Sequence, residues 1–231
     1  MQTGLFFNSL ICLITAGFTF FTAWYVYRNN KNNLVDVSCS GFWLFAGITW
    51  FFVGISLVIF HLGFAGWDVF INQYIIQTVI YAQIVAGTYY VAFRVLKNHR
   101  LAKKVFWLFC VLAIIGLGFT YQKGGVLLGQ ISYYSTEYKI NQIAWQIFQV
   151  MVAVALFGIL YDSGRNLYYR FWRKELFEIK YFLVNLSVIV YGVIGYFDQQ
   201  GYTAAWTVIV MRMIIIFCAQ TAYLAYSNKE L

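Results

Sequence analysis

Apolar residues do not alternate with polar ones along this chain, nor recur on one helical face. They come in long runs broken by short polar and basic joints. About 20 consecutive apolar residues are needed to cross the hydrocarbon core of a bilayer as a helix. The runs predict seven such spans, at 4–27, 41–62, 72–96, 105–121, 141–161, 181–197 and 203–226. The fourth is the shortest. The longest joint on the side of the N-terminus is 122–140, where Gly124-Gly125-Val126-Leu127-Leu128-Gly129 reads as a loop or a stretch dipping into the interface. The expected fold is an all-α integral membrane protein, one seven-helix domain over 1–231.

Composition supports lipid as the solvent. Of the 231 residues, 62% are hydrophobic and 10% charged, against about 25% charged in a soluble domain. In lipid each backbone group must find its partner within a helix or a closed barrel. The runs are too long and too unbroken for the short alternating segments of a barrel.

The net charge of +8 reports orientation rather than nucleic acid. Basic residues collect in the short cytoplasmic loops of membrane proteins. With the N-terminus outside, thirteen of the 16 Lys and Arg residues, from Arg28 to Lys229, fall inside. Only Lys123 and Lys139 fall outside, and Arg212 lies within the seventh run. The sequence therefore predicts an outer N-terminus and a cytoplasmic C-terminus in a bacterial cytoplasmic membrane. Trp24, Trp43, Trp107 and Trp172 fall near the inner boundary and Trp67, Trp145 and Trp206 near the outer one. Indole rings prefer such boundaries because the ring is apolar and the N–H polar. Trp50 instead sits near the middle of the second run. Cys39 is expected in a cytoplasmic loop. The basic, aromatic segment 162–180 is expected along the inner headgroups, where it could dock a cytoplasmic or membrane protein partner.

Candidate chemistry is sparse. A central arginine costs about 2.5–3.5 kcal/mol on insertion scales, so Arg212 should face the bundle interior. Two readings stand: a counter-charge for a small polar or anionic ligand entering from outside, or a clasp between helices. Gln142, Gln146 and Gln149 recur at helical spacing in the fifth run, as do Gln73 and Gln77 in the third. An amide both donates and accepts, so the expected site is Arg212, Gln149, Gln146 and Gln77, capped by Trp50 or His61. His61 and Asp198 sit at outer ends of their spans, as a proton-sensitive pair or as wet boundary groups. Asp162, close to Arg165, reads as a surface ion pair. No grouping of His, Cys or carboxylates suits a metal or acid–base catalysis. No span carries the lysine that a retinal Schiff base needs. The expectation is a non-enzyme with no cofactor.

An internal 3+1+3 repeat would pair 4–96 with 141–226 and leave 105–121 as a linker. Overlay at an offset of 137 pairs Arg28-Asn29 with Arg165-Asn166 and Ala82-Gln83 with Ala219-Gln220. Sugar carriers of the SWEET family are built on such a duplication, but this chain has no proline and so lacks their proline-glutamine motif. The first run ends in Tyr25-Val26-Tyr27-Arg28-Asn29-Asn30-Lys31. The second carries Phe42-Trp43-Leu44-Phe45-Ala46-Gly47-Ile48-Thr49-Trp50-Phe51 around its central tryptophan. In these features the first half, about 100 residues, resembles the seven-helix N-terminal sensor region of bacterial histidine kinases and diguanylate cyclases. The resemblance implies a membrane sensor or ligand-binding module acting through a partner. A small SWEET-like carrier and a non-catalytic subunit of a membrane complex are the alternatives.

Overall fold

The computed structural model describes residues 2–173, 178–199 and 206–228. Its helices are α1 (Gln2–Asn30), α2 (Leu34–His61), α3 (Ala65–Leu96), α4 (His99–Thr120), α5 (Gln142–Arg173), α6 (Ile179–Gln199) and α7 (Thr207–Ser227). All seven are long and apolar enough to cross a membrane. Phe157, Ile114 and Trp107 are 73%, 69% and 66% exposed on the outside of the bundle. So much apolar surface is at home against lipid rather than water, and the chain is an integral membrane protein. The start of the predicted span 203–226 and residues 174–177 of the basic segment lie outside the described residues.

Six helices close a ring in the order α1–α2–α3–α5–α6–α7, with α7 returning to α1. The fourth helix packs outside that ring against α3 and α5. The inward face of α1 carries Asn8, Thr15, Thr19 and Thr22. The threonine hydroxyls bond back to carbonyls of the preceding turn, as in Thr15 Oγ1 to Ile11 O at 2.8 Å. These residues can therefore be buried without losing their hydrogen bonds.

Local signals set the helix ends. Asn33 caps α2, its side chain accepting from Val35 N at 3.1 Å and donating to Asp36 Oδ2 at 2.8 Å. An N-cap satisfies donors that a helix start leaves free. The cap starts α2 seven residues before the apolar run, so Cys39, expected in a loop, is a buried helical residue. The third helix ends on Lys97 in the left-handed region (φ 52°), and Asn98 caps α4 by accepting from Arg100 N at 2.9 Å. Near its start α3 carries a π-helical stretch, Ile71–Ile76. The segment 162–180 does not begin a new element at Asp162. Instead α5 continues unbroken to Arg173, since no proline interrupts the stretch and the single Gly164 only weakens a helix.

The joint read as a loop is an antiparallel hairpin of β1 (Val126–Ile131) and β2 (Thr136–Ile140). Val126 pairs with Ile140 and Leu128 with Tyr138, with an irregularity before Ile131. Helix ends and backbone carbonyls hold it down. Asn8 Nδ2 donates to Tyr134 O at 2.7 Å, and Tyr133 Oη and Thr3 Oγ1 are 2.8 Å apart. Any Cβ at Gly4 would lie 2.4 Å from the Tyr133 ring, so a glycine is required there. Gln73 Nε2 donates to Thr120 O at 2.9 Å and Gln122 O at 3.0 Å, anchoring the approach to β1.

Candidate ligand-binding site

Beneath the hairpin lies a polar chamber whose floor is Arg212 of α7. The guanidinium is 2% exposed. Its Nη2 is 3.0 Å from Asp198 Oδ1 at the end of α6. Its Cζ stands 4.2 Å above the Trp50 ring of α2. A desolvated stack of this kind contributes about 2 kcal/mol. Together with the ion pair it offsets much of the cost of placing the charge there. The offset is incomplete, because Nε and Nη1 of Arg212 make no well-formed hydrogen bond and the acceptor beside the group is the Cys12 thiol, a weak one.

Four elements converge on the walls: Asn8 from α1, Ser56 from α2, Asn72 from α3 and Ser135–Tyr138 from the hairpin. The chamber has a volume of about 60 Å³, room for a few waters or a small polar group. Behind the wall Asp68, fully buried, accepts from the Ser56 and Tyr138 hydroxyls, so hairpin, α2 and α3 meet at one carboxyl. Burial, reinforced by Asp68, raises the Tyr138 phenol well above its ordinary pKa and keeps it a donor. Burial and nearby Asp198 also raise the Glu137 carboxyl.

Trp50 is in contact with Arg212. Gln77 is buried and donates to Asn72 Oδ1 at 3.3 Å, one hydrogen bond removed from the chamber. Gln149 donates to Tyr196 Oη at 3.1 Å, and Tyr196 borders the next cavity down. Gln146 is exposed on the outer surface of α5 and does not belong to the site. Helical spacing is correct for 142, 146 and 149, but the helix turns its Gln142–Gln146 edge outward. His61 also lies outside the chamber, with its ring 6.3 Å from that of Phe6. Asp198, considered as its partner, pairs with Arg212.

The sequence reading missed Asn8, Ser56, Asn72, the hairpin residues, and Gln83 with Tyr191. One signal was present: Asn8, followed by Ser9, and Ser56 are polar residues inside apolar runs. Asp162, expected at the surface, is 2% exposed at the opposite end of the bundle. It takes Arg94 Nε at 2.9 Å, Arg165 Nη2 at 2.7 Å and Asn185 Nδ2 at 3.1 Å. No protein-family model matches the chain, and comparison with curated proteins finds no match.

Proposed function

We propose that this protein is a membrane-embedded ligand-binding module, a sensor acting through a partner, whose site is the Arg212–Asp198–Trp50 centre. In this reading it lies in a bacterial cytoplasmic membrane with its hairpin and N-terminus outside and its C-terminus in the cytoplasm. The placement of basic residues supports that orientation, and the likeness of the first half to kinase and cyclase sensor regions supports the sensing role. One observation carries the proposal: a buried guanidinium with two of its three nitrogens lacking a well-formed hydrogen bond beside an open chamber. A guanidinium serving only as a clasp between helices would have strong acceptors around it, because unmade hydrogen bonds of a buried charge are costly.

The test is Arg212→Met in lipid nanodiscs, screened by thermal shift against amino acids, small carboxylates and apolar carbonyl compounds. The variant is expected to fold and to lose every ligand-induced rise in melting temperature shown by the parent. A variant that keeps those rises sinks the site. Orientation is tested separately with Lys123→Cys and a membrane-impermeant thiol reagent. Labelling of intact cells is expected, and labelling only of inverted vesicles reverses the topology.

A further inference from the structure

The chamber is the top of a longer path. Directly below it lies a second cavity of about 90 Å³ that shares Val53 and Asp198 with the chamber. Below that, a third cavity of about 70 Å³ shares Phe42, Ile84, Val152 and Gly192 with the second. The three run down between α2, α3, α5 and α6. Their character changes on the way. The chamber is polar, whereas the third cavity is walled almost entirely by aliphatic and aromatic side chains such as Val91, Leu156 and Ile159.

The poorly matched polar atoms along the upper part of this path are all donors. Arg212 Nε and Nη1 have only the weakly accepting Cys12 thiol beside the group, the Trp50 indole N–H has only a poorly aligned Tyr191 hydroxyl, and Gln83 leaves Nε2 without an acceptor. These side chains are 2%, 3% and 5% exposed. Trp50 and Gln83 both border the second cavity. Tyr191 gives its proton to Gln83 Oε1 at 3.3 Å, which commits the amide oxygen and leaves the NH2 group without an acceptor. A set of donors without good acceptors fits a ligand head that only accepts. Charge narrows the head further. Asp198 already neutralises Arg212, and Glu137 also borders the chamber. A ligand carboxylate would be a third acid around one guanidinium, and like charges at such range repel strongly in a low dielectric.

Resting on the proposed binding role of this centre, we infer that the ligand is an uncharged, membrane-soluble carbonyl compound of the quinone class. Its carbonyl oxygens take the donors of Trp50, Gln83 and Arg212, and its apolar tail lies in the cavity between α3, α5 and α6.

The test compares three probes with one ten-carbon tail: a decyl-substituted benzoquinone, decanoate and decanol. Each is titrated into nanodiscs holding the full chain, with thermal shift and tryptophan quenching as readouts. The quinone is expected to bind at least tenfold tighter than either of the others. Gly195 borders the second cavity, and a Cβ there meets nothing within 4 Å. Gly195→Leu is therefore expected to fold and to weaken the quinone at least tenfold. Gln83→Leu, which removes an orphan donor, supplies an independent variant with the same expected loss. Decanoate binding as tightly as the quinone overturns the neutral head. Quinone binding unchanged in both variants overturns the path. If no tailed probe binds, while an amino acid or small carboxylate stabilises the parent and not Arg212→Met, this inference fails and the proposed binding centre stands. If nothing in either panel binds, both fail.

Discussion

Each end of the bundle buries an arginine against an aspartate, and the two ends are finished differently. Away from the hairpin, Arg94 and Arg165 share Asp162. Arg165 also donates to the carbonyls of Arg94 and Val95, Arg94 reaches Glu178, and Asn185 closes the remaining side. Even Asn185 Oδ1 is taken, by Tyr90 Oη at 2.8 Å. Beneath the hairpin, Arg212 has one carboxylate, one ring and two poorly matched nitrogens. A satisfied buried network fixes how helices meet, whereas a partly satisfied one holds free energy that a ligand can release. The same pair of residue types thus serves as a joint at one end and as a receptor at the other.

The sharpest way to break this contrast is Asp162→Ala. It removes the buried carboxyl that Arg94 and Arg165 share, and loss of one partner from a buried pair costs about 3–5 kcal/mol. Denaturant unfolding in detergent micelles should show a loss of that size, and a loss below about 1 kcal/mol would remove the distinction. Next is Tyr138→Phe, which deletes a hydroxyl donated to the buried Asp68 carboxyl. A hydrogen bond to a charged group contributes about 1.5–3 kcal/mol. Because this one ties the hairpin down, limited proteolysis within β1–β2 should accelerate by tenfold or more. Arg212→Met should cost less, about 1 kcal/mol or under, since it removes poorly met donors along with the charge. Asp198, which it leaves behind, is 17% exposed and can reach water. A loss as large as that of Asp162→Ala would make the two ends alike.

The smallest effect is a pH dependence. The folded protein holds the Glu137 proton more tightly than the unfolded chain does. Stability from this group is therefore full below the ordinary glutamate pKa. It declines as pH rises from there to the raised value and is flat above it. Glu137→Gln should remove that decline from the melting temperature between mildly acidic and neutral pH. An unchanged slope would place the group outside the chamber's electrostatics.

The helices were legible because a bilayer imposes one simple length rule, and nearly every run that met it is helical here. Three things hid from that rule. The hairpin is only a few residues per strand, and Gly124-Gly125 and Gly129 gave it the look of a loop. Asp162 looked like a surface residue because the apolar run stops there, although the helix does not. Gln146 and Gln149 share a helical face by spacing, yet only packing decides where the face turns inward, and the boundary falls between them. Arg212 and Trp50 were found because each is out of place for its depth, and the two misfits explain one another. The overlay that suggested a repeat pairs Arg28 with Arg165. In the fold Arg28 lies over Trp24 at the surface, whereas Arg165 caps a buried joint.

The length of α5 has a mechanical consequence. At 1.5 Å per residue its 32 residues span about 48 Å, against a hydrocarbon core of about 30 Å. Set along the bilayer normal from its first residue, the helix would leave some 18 Å of its length past the bilayer, tipped by the exposed Phe171 and Trp172. Asp162 and Arg165 clamp it at the base of that length. A tilt of about 5° in the membrane-embedded part sweeps the tip sideways by about 1.6 Å at that reach. A displacement too small to notice among the packed helices would thus arrive at the far end as a movement on the scale of a bond length.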